Sequence, residues 1–183
     1  VMKIESRAVT HKSDIGGVEL NLKNSQEVER AYQRILTNVL AHVEQKEVDG
    51  ILVESMENKS IIGESLVTVK VDKVFGPYIV VGTGGIFTEL LKDYVLLLPP
   101  FNRNYLLDKL KDLKLYKMLD GYRGKPKGDI EALLSFLEKL GDISITIKDD
   151  INEIEMNPVA IYEEGNGVGI LDALIEGKGR KEN

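Results

Sequence analysis

Apolar patterns of period two and period 3.6 follow one another along this chain without regular alternation, and that order constrains the fold more than any other feature. Val18-Glu19-Leu20-Asn21-Leu22 alternates as a half-buried strand does, and Leu66, Thr68, Lys70 and Asp72 alternate with Val67, Val69 and Val71 over a strand expected from Glu64 to Asp72. Between these, Val28, Tyr32, Ile35, Leu36, Val39 and Val43 recur at three- and four-residue spacing, which predicts a helix from the Asn24-Ser25 cap to about Gln45. Further strands are expected at Val1 to Ile4, Gly50 to Met56 and Tyr78 to Val81, and a short helical stretch over 86–92. A helix near Asn104 to Leu119 precedes another capped by Asp129, and two last strands surround Asn157-Pro158 and end near Leu171. The irregular order predicts an α+β fold rather than a doubly wound parallel sheet.

At 183 residues the chain suffices for one ordinary domain or two small lobes sharing a cleft. The longest purely apolar runs are four or five residues, such as Val95 to Leu98, and no basic region followed by an apolar stretch opens the chain. A soluble, cytoplasmic protein with no membrane partner is therefore expected. Its 24 basic and 30 acidic residues leave a net charge of −6, which offers nucleic acid no global attraction. With no cysteine and only His11 and His42, thiolate zinc sites and three-histidine centres are excluded, so a metal must sit on oxygen ligands. The first residue is Val rather than Met, so the chain is expected to be a fragment of something longer, and residues 177–183 to form a frayed tail.

Three clusters carry candidate chemistry. Thr10-His11-Lys12-Ser13-Asp14-Ile15-Gly16-Gly17 joins an imidazole, an ammonium and two flexible glycines in a loop between strands. It reads either as a polar hairpin loop or as a phosphate site, in which a neutral imidazole would be a nucleophile toward phosphorus. Lys3, between apolar neighbours, either snorkels or meets an anion. In Glu153-Ile154-Glu155-Met156-Asn157-Pro158, residues 153, 155 and 157 share one face of a strand, either as a solvated acidic face or as oxygen ligands of the kind Mg²⁺ prefers; Asp172 is a candidate cross-strand neighbour. Glu54 and Glu64 stand at the end and start of successive strands, within reach of a ribose hydroxyl or simply solvated.

Six ordered motifs together resemble one family: Val-Met-Lys-Ile; His11-Lys-Ser-Asp-x-Gly-Gly-Val; Glu64 with Asp72-x-x-Phe75-Gly76-Pro77; Gly84-Gly85-Ile86-Phe87-x-Glu89-x-Leu-Lys92-Asp93; Leu119-x-Gly121-x-Arg123-Gly124 with Asp129-Ile130-x-Ala-Leu; and Glu153-x-Glu155-x-Asn157-Pro158. This pattern is similar to the ATP-grasp part, the β subunit or β domain, of ADP-forming acyl-CoA synthetases, relatives of succinyl-CoA synthetase. The resemblance spans about residues 1–175. It implies an ATP-grasp fold of two α+β lobes with nucleotide between them: a partial lid lobe over 1–60, lacking its N-terminal part, and a catalytic lobe over 61–176.

The resemblance also implies an acid–thiol ligase of the acetate–CoA type, with ATP/ADP and Mg²⁺ as cofactors. His11 would be the phosphoryl relay. Lys3, Gly16 and Gly17 would meet the nucleotide phosphates, Glu54, Met56 and Glu64 would hold the adenosine, and Glu155, Asn157 and Asp172 would hold Mg²⁺, with Glu153 a less secure member. The implied partner is a CoA-binding α subunit or fused α domain, through which a small carboxylic acid and CoA enter, in a hetero- or homo-oligomer. Leu96 or Leu97 stands where many active members place an Arg, and Val71 replaces a basic residue common before Asp72. Leu-Pro-Pro-Phe-Asn-Arg-Asn resembles forms fused to protein acetyltransferases, so a degenerate regulatory domain is the alternative, as is a ligase or lyase of the same plan acting on another acid.

Overall fold

The computed structural model describes residues 1–9, 11–85 and 92–179, which form two compact units, Val1–Asn58 and Lys59–Asn183. The helical stretch expected over 86–92 lies, except for Lys92, outside the described residues.

In the first unit β1 (Met2–Glu5) is the centre of a three-stranded antiparallel sheet, flanked by β2 (Val18–Glu19) and β3 (Gly50–Val53). Helix α1 (Ser25–Leu40) packs on one face, where Ala31, Ile35 and Val39, four residues apart, bury themselves against Met2 and Ile4. Asn24 caps it by accepting the Glu27 amide at 2.9 Å, and the Glu27 carboxylate returns to the Lys23 amide at 2.8 Å. The helix stops at Leu40 rather than Gln45, and the expected stripe residue Tyr32 is 43% exposed. The expected strand over 18–22 is also shorter: Asn21 takes φ 60°, which no extended strand permits, and Leu20 turns outward.

The second unit is a six-stranded antiparallel sheet in the order β6–β5–β4–β7–β8, with β9 also paired to β7. Its strands are β4 (Ile61–Asp72), β5 (Gly76–Thr83), β6 (Tyr94–Leu97), β7 (Ile151–Tyr162), β8 (Val168–Ile170) and β9 (Ala173–Gly177). Helices α2 (Arg103–Lys111), α3 (Lys114–Leu119) and α4 (Ile130–Ile147) lie on one face. There Leu106, Leu110, Leu119, Leu133 and Leu137 form a single core with Val67, Val69, Ile79, Val81 and Met156 of the strands. Since strand side chains alternate, Thr68, Lys70, Glu153 and Glu155 stand on the opposite face.

The second unit also departs from the sequence expectations. One strand, β7, runs through Asn157-Pro158 instead of stopping there. Ser65 pairs with Val159 and Val67 with Met156, so Asn157 and Pro158 together oppose Leu66 in a β-bulge. A proline without an N–H is accommodated at such an interruption of the ladder. The single helix expected over 104–119 is two, because the Asp93 carboxylate takes the Lys114 amide at 2.9 Å and starts a new helix after Leu113. Finally, the expected tail begins inside the sheet: Gly177 pairs with Ile151, and the Lys178 amide donates to the Asp150 carbonyl at 2.8 Å. Residues 180–183 lie outside the described set. Among the described residues no helix is long and apolar enough to cross a membrane.

Candidate functional site

The first unit places Lys3, Glu54 and the His11 loop on one short sheet. Met2 and Ile4 of β1 enter the core, so Lys3 and Glu5 stand on the other face. The Lys3 ammonium lies 2.7 Å from Glu54 Oε2, with 13% of the lysine side chain and 41% of the glutamate exposed. The anion that meets Lys3 is therefore supplied by this chain, and Glu54 is engaged by a lysine rather than simply solvated. Glu54 is itself aligned by its amide, which donates to the Val1 carbonyl at 3.0 Å beyond the end of β3. Met56, two residues on, is half-buried.

The loop is cinched rather than loosely extended. Its closing bonds run in series: the Ile4 amide donates to the Gly17 carbonyl and the Gly17 amide to the Lys12 carbonyl, both at 2.8 Å, and the Gly16 amide donates to Ser13 at 3.2 Å. Gly16 has φ +66°, and a Cβ on Gly17 would meet Ile4 Cγ2 at 2.7 Å and the Lys12 oxygen at 2.8 Å. Glycine is required at the first for its backbone angle and at the second for close packing. Lys12 Nζ donates to Glu5 Oε1 at 3.0 Å, and His11 is exposed at the margin of this turn.

The second unit brings together Glu64, Gly85, Asn157 and Asp172. The Gly84 amide donates to the Glu64 carbonyl at 2.8 Å, and a Cβ on Gly84 would collide with the backbone of Ser65, so only glycine lets the chain turn this tightly against β4. Gly85, with φ +66°, follows directly against the Glu64 carboxylate. Its amide donates to Asn157 Oδ1 at 3.2 Å. Across the ladder the Asn157 amide donates to the Asp172 carbonyl at 3.1 Å, which sets Asp172 opposite Asn157 as the sequence pattern predicts. Glu155 shares the Asn157 face of β7, opposite Thr68 and Leu174. Glu153 is drawn off by Lys70 at 3.1 Å.

The oxygen donors gathered about Asn157 are the Glu155 and Asp172 carboxylates and the Asn157 carboxamide, with Asn157 Oδ1 accepting the Gly85 amide and Asp172 Oδ1 the Ala173 amide at 3.0 Å. Among the described residues no three His, Asp or Glu side chains form a metal cage. A hard cation completed by outside oxygens fits such a set; a self-sufficient protein cage does not.

Two residues of this framework escape sequence reasoning as site components. Asp93 accepts the Thr83 hydroxyl at 2.7 Å as well as the Lys114 amide, tying the end of β5 to the start of α3. No local pattern reveals a cap whose helix begins 21 residues downstream. Gly85 is legible only as a breaker in Gly82-Thr83-Gly84-Gly85, since its contacts to Glu64 and Asn157 are long-range.

An ATP-grasp domain family model matches residues 1–176. The chain is 37% identical over 180 residues to the ADP-forming acetate–CoA ligase of Methanocaldococcus jannaschii, covering 96% of this chain and 25% of that protein. It thus spans about a quarter of that relative. It is 35% identical to subunit beta of ADP-forming acetate–CoA ligase I of Pyrococcus furiosus, covering 90% of this chain and 69% of the subunit. Among solved structures, the dinucleotide-forming acetyl-coenzyme A synthetase 1 of Ca. Korarchaeum cryptofilum, in complex with coenzyme A and Ca-AMPCP, superposes with a TM-score of 0.86 at 36% identity, over 97% of this chain and 75% of that one. In other forms of that enzyme a phosphohistidine segment points towards the nucleotide binding site with Mg-AMPPCP present, or is phosphorylated in a site I orientation. With nearly its whole length matched in sequence and fold, the chain belongs to the ATP-grasp family, among the β subunits and β domains of ADP-forming acyl-CoA synthetases.

Proposed function

We propose that the chain is the nucleotide-binding, phosphoryl-carrying part of an ADP-forming acyl-CoA synthetase, which converts a small carboxylic acid, ATP and CoA into acyl-CoA, ADP and phosphate. The observation that carries this reading is the convergence of Glu64, Gly85 and Asn157, with Asp172 opposite, in a chain that superposes over 97% of its length on the similar Korarchaeum enzyme. Residues 1–60 are read as the partial lid lobe and 61–176 as the catalytic lobe, supported by the division of the chain after Asn58.

His11 is the relay nucleophile in this reading. Its exposure at the margin of a glycine-hinged turn, and the phosphohistidine segment of the Korarchaeum enzyme, support the assignment. In the direction of ATP use, an imidazole nitrogen lone pair forms a P–N bond to the γ-phosphorus as the bond to the bridging oxygen breaks and ADP leaves. Lys3, aimed by Glu54, supplies an ammonium to the phosphates, and the backbone of Gly16 and Gly17 lies beside them. Glu54, Met56 and Glu64 hold the adenosine.

Glu155, Asn157 and Asp172 would hold Mg²⁺, which when bound neutralises charge on the nucleotide phosphates. The acid and CoA enter through a CoA-binding α subunit or domain, a role consistent with the subunit organisation of the Pyrococcus relative. The test is incubation of the full-length or reconstituted protein with ATP, acetate and CoA. Stoichiometric ADP and acetyl-CoA are expected; ADP without thioester, or neither product with any small acid, contradicts the proposal.

A further inference from the structure

We infer that Glu5 is a positioning residue for the His11 loop, acting through Lys12. This rests on His11 being the phosphoryl carrier, and adds a latch that sets how long the loop stays on β1.

Glu5 is the last residue of β1, on the same face as Lys3, and Lys12 is the residue after His11. Lys12 is held at both ends. Its carbonyl accepts the Gly17 amide at 2.8 Å, and its ammonium lies 3.0 Å from Glu5 Oε1. Only 18% of the lysine side chain is exposed, against 45% for Glu5, so the stem is packed while the ion pair lies at the water margin. The carbonyl bond closes the turn on itself and travels with it. Among the described contacts, the Ile4–Gly17 bond and the Glu5–Lys12 pair tie the turn to the strand, while Asn38 Nδ2 of α1 donates to the Gly16 carbonyl at 3.3 Å. Of these contacts, only the ion pair responds to charge.

A carrier histidine must meet both a phosphoryl donor and an acceptor, and the phosphohistidine segment of the Korarchaeum enzyme points towards the nucleotide binding site in one form and is phosphorylated in a site I orientation in another. A loop fastened beside Lys3 is fastened on the phosphate side of the proposed site. Leaving it requires Lys12 to part from Glu5. A phosphoryl group on His11 places a dianion one residue from that ammonium, in competition with the Glu5 carboxylate. Phosphorylation of His11 therefore weakens the latch at the moment the loop has to leave.

The experiment is exchange of the Ile4 amide, whose hydrogen bond to the Gly17 carbonyl breaks when the turn leaves β1, in wild type, Glu5→Gln, Lys12→Gln and the double variant, at low and high salt. Glu5→Gln keeps the side chain's size and removes its charge. Exchange should rise about two- to fivefold, the range for one partly exposed ion pair. The double variant should equal either single one, and added salt should raise exchange only in the wild type. Additive effects, or salt sensitivity that survives Glu5→Gln, would overturn the latch.

A second arm follows phosphoryl transfer from ATP to His11. In Glu5→Gln it should slow by a similar factor with Mg-AMPPCP affinity unchanged, and Glu5→Asp should recover part of the rate. An unchanged transfer rate despite faster exchange would overturn the positioning role. Absence of phosphohistidine in the wild type would instead count against the parent reading, while the exchange arm still decides the latch.

Discussion

The Lys3 ammonium and the Glu54 carboxylate meet at 2.7 Å, joining the first strand of the chain to the segment that follows β3. Each neutralises the other's cost of partial burial, and the pair leaves an oriented cation on the sheet face away from α1. If that cation serves nucleotide phosphates, Lys3→Met should weaken ATP binding by about 10- to 100-fold, the scale of a hydrogen bond to a charged group, and cost adenosine binding less. Calorimetry with the two ligands separates the cases. Equal losses for both would mark a folding defect, which a thermal melt detects.

The metal assignment predicts that Asn157→Ala or Glu155→Ala costs about 1–3 kcal/mol of Mg-AMPPCP affinity. Titration with and without Mg²⁺ checks it. The same substitutions should leave metal-free nucleotide binding nearly unaltered, whereas equal losses in both series would argue against metal ligation.

Gly85 combines φ +66° with direct apposition to the Glu64 carboxylate. Gly85→Ala should cost about 1–2 kcal/mol for a left-handed side chain and lower the melting temperature by a few degrees. It should also push Glu64 aside and reduce nucleotide affinity, whereas Gly165→Ala, with φ +83° and open space around it, should show the strain cost alone. Melting curves and calorimetry on the two variants compare the effects.

The tip of the β4–β5 hairpin is ordered by Asp72, whose Oδ1 accepts the Val74 amide at 2.7 Å and the Phe75 amide at 2.9 Å. These two backbone donors, Phe75 first, hold the Asp72 carboxyl below its ordinary value of 3.8. A depressed acid contributes its stabilisation above the ordinary value and loses it as pH falls through the lowered one. The Val74 and Phe75 amides should therefore stay protected at pH 5 and through the ordinary value of 3.8, and lose protection only as pH falls below it. Asp72→Ala should lack protection at both. Exchange measured by NMR across this range is the check.

The sequence discloses those parts of the fold that depend on local periodicity. Alternation in 64–72 marks the central strand, and the three- and four-residue spacing after Asn24 marks α1, because both report a face buried along one element. Asp129 is legible as a cap because its helix begins at the next residue. The break after Leu113 is not, since the group that competes for the helix amides is Asp93, brought in from the end of β5. Nor is the continuity of β7, where Asn157-Pro158 reads as a stop until a bulge opposite Leu66 absorbs it. In the site the residue types were readable and their pairings were not. Lys3 reads as a cation in search of an anion, but that Glu54 is the anion depends on how β1 and β3 align.

The central claim is that His11 carries the phosphoryl group, and one measurement addresses it directly. The complete protein is incubated with ATP labelled at the γ-phosphate, the labelled peptide is mapped, and its acid and base stability are determined. The account predicts an acid-labile, base-stable phosphoryl group on the peptide containing His11, lost in His11→Ala and retained in His42→Ala, since His42 is exposed beyond the end of α1. Acid-to-thioester turnover should vanish in His11→Ala with Mg-ATP affinity kept within about tenfold, one loop contact being worth on the order of 1.4 kcal/mol. Label confined to other peptides, or full turnover by the His11→Ala protein, would contradict it.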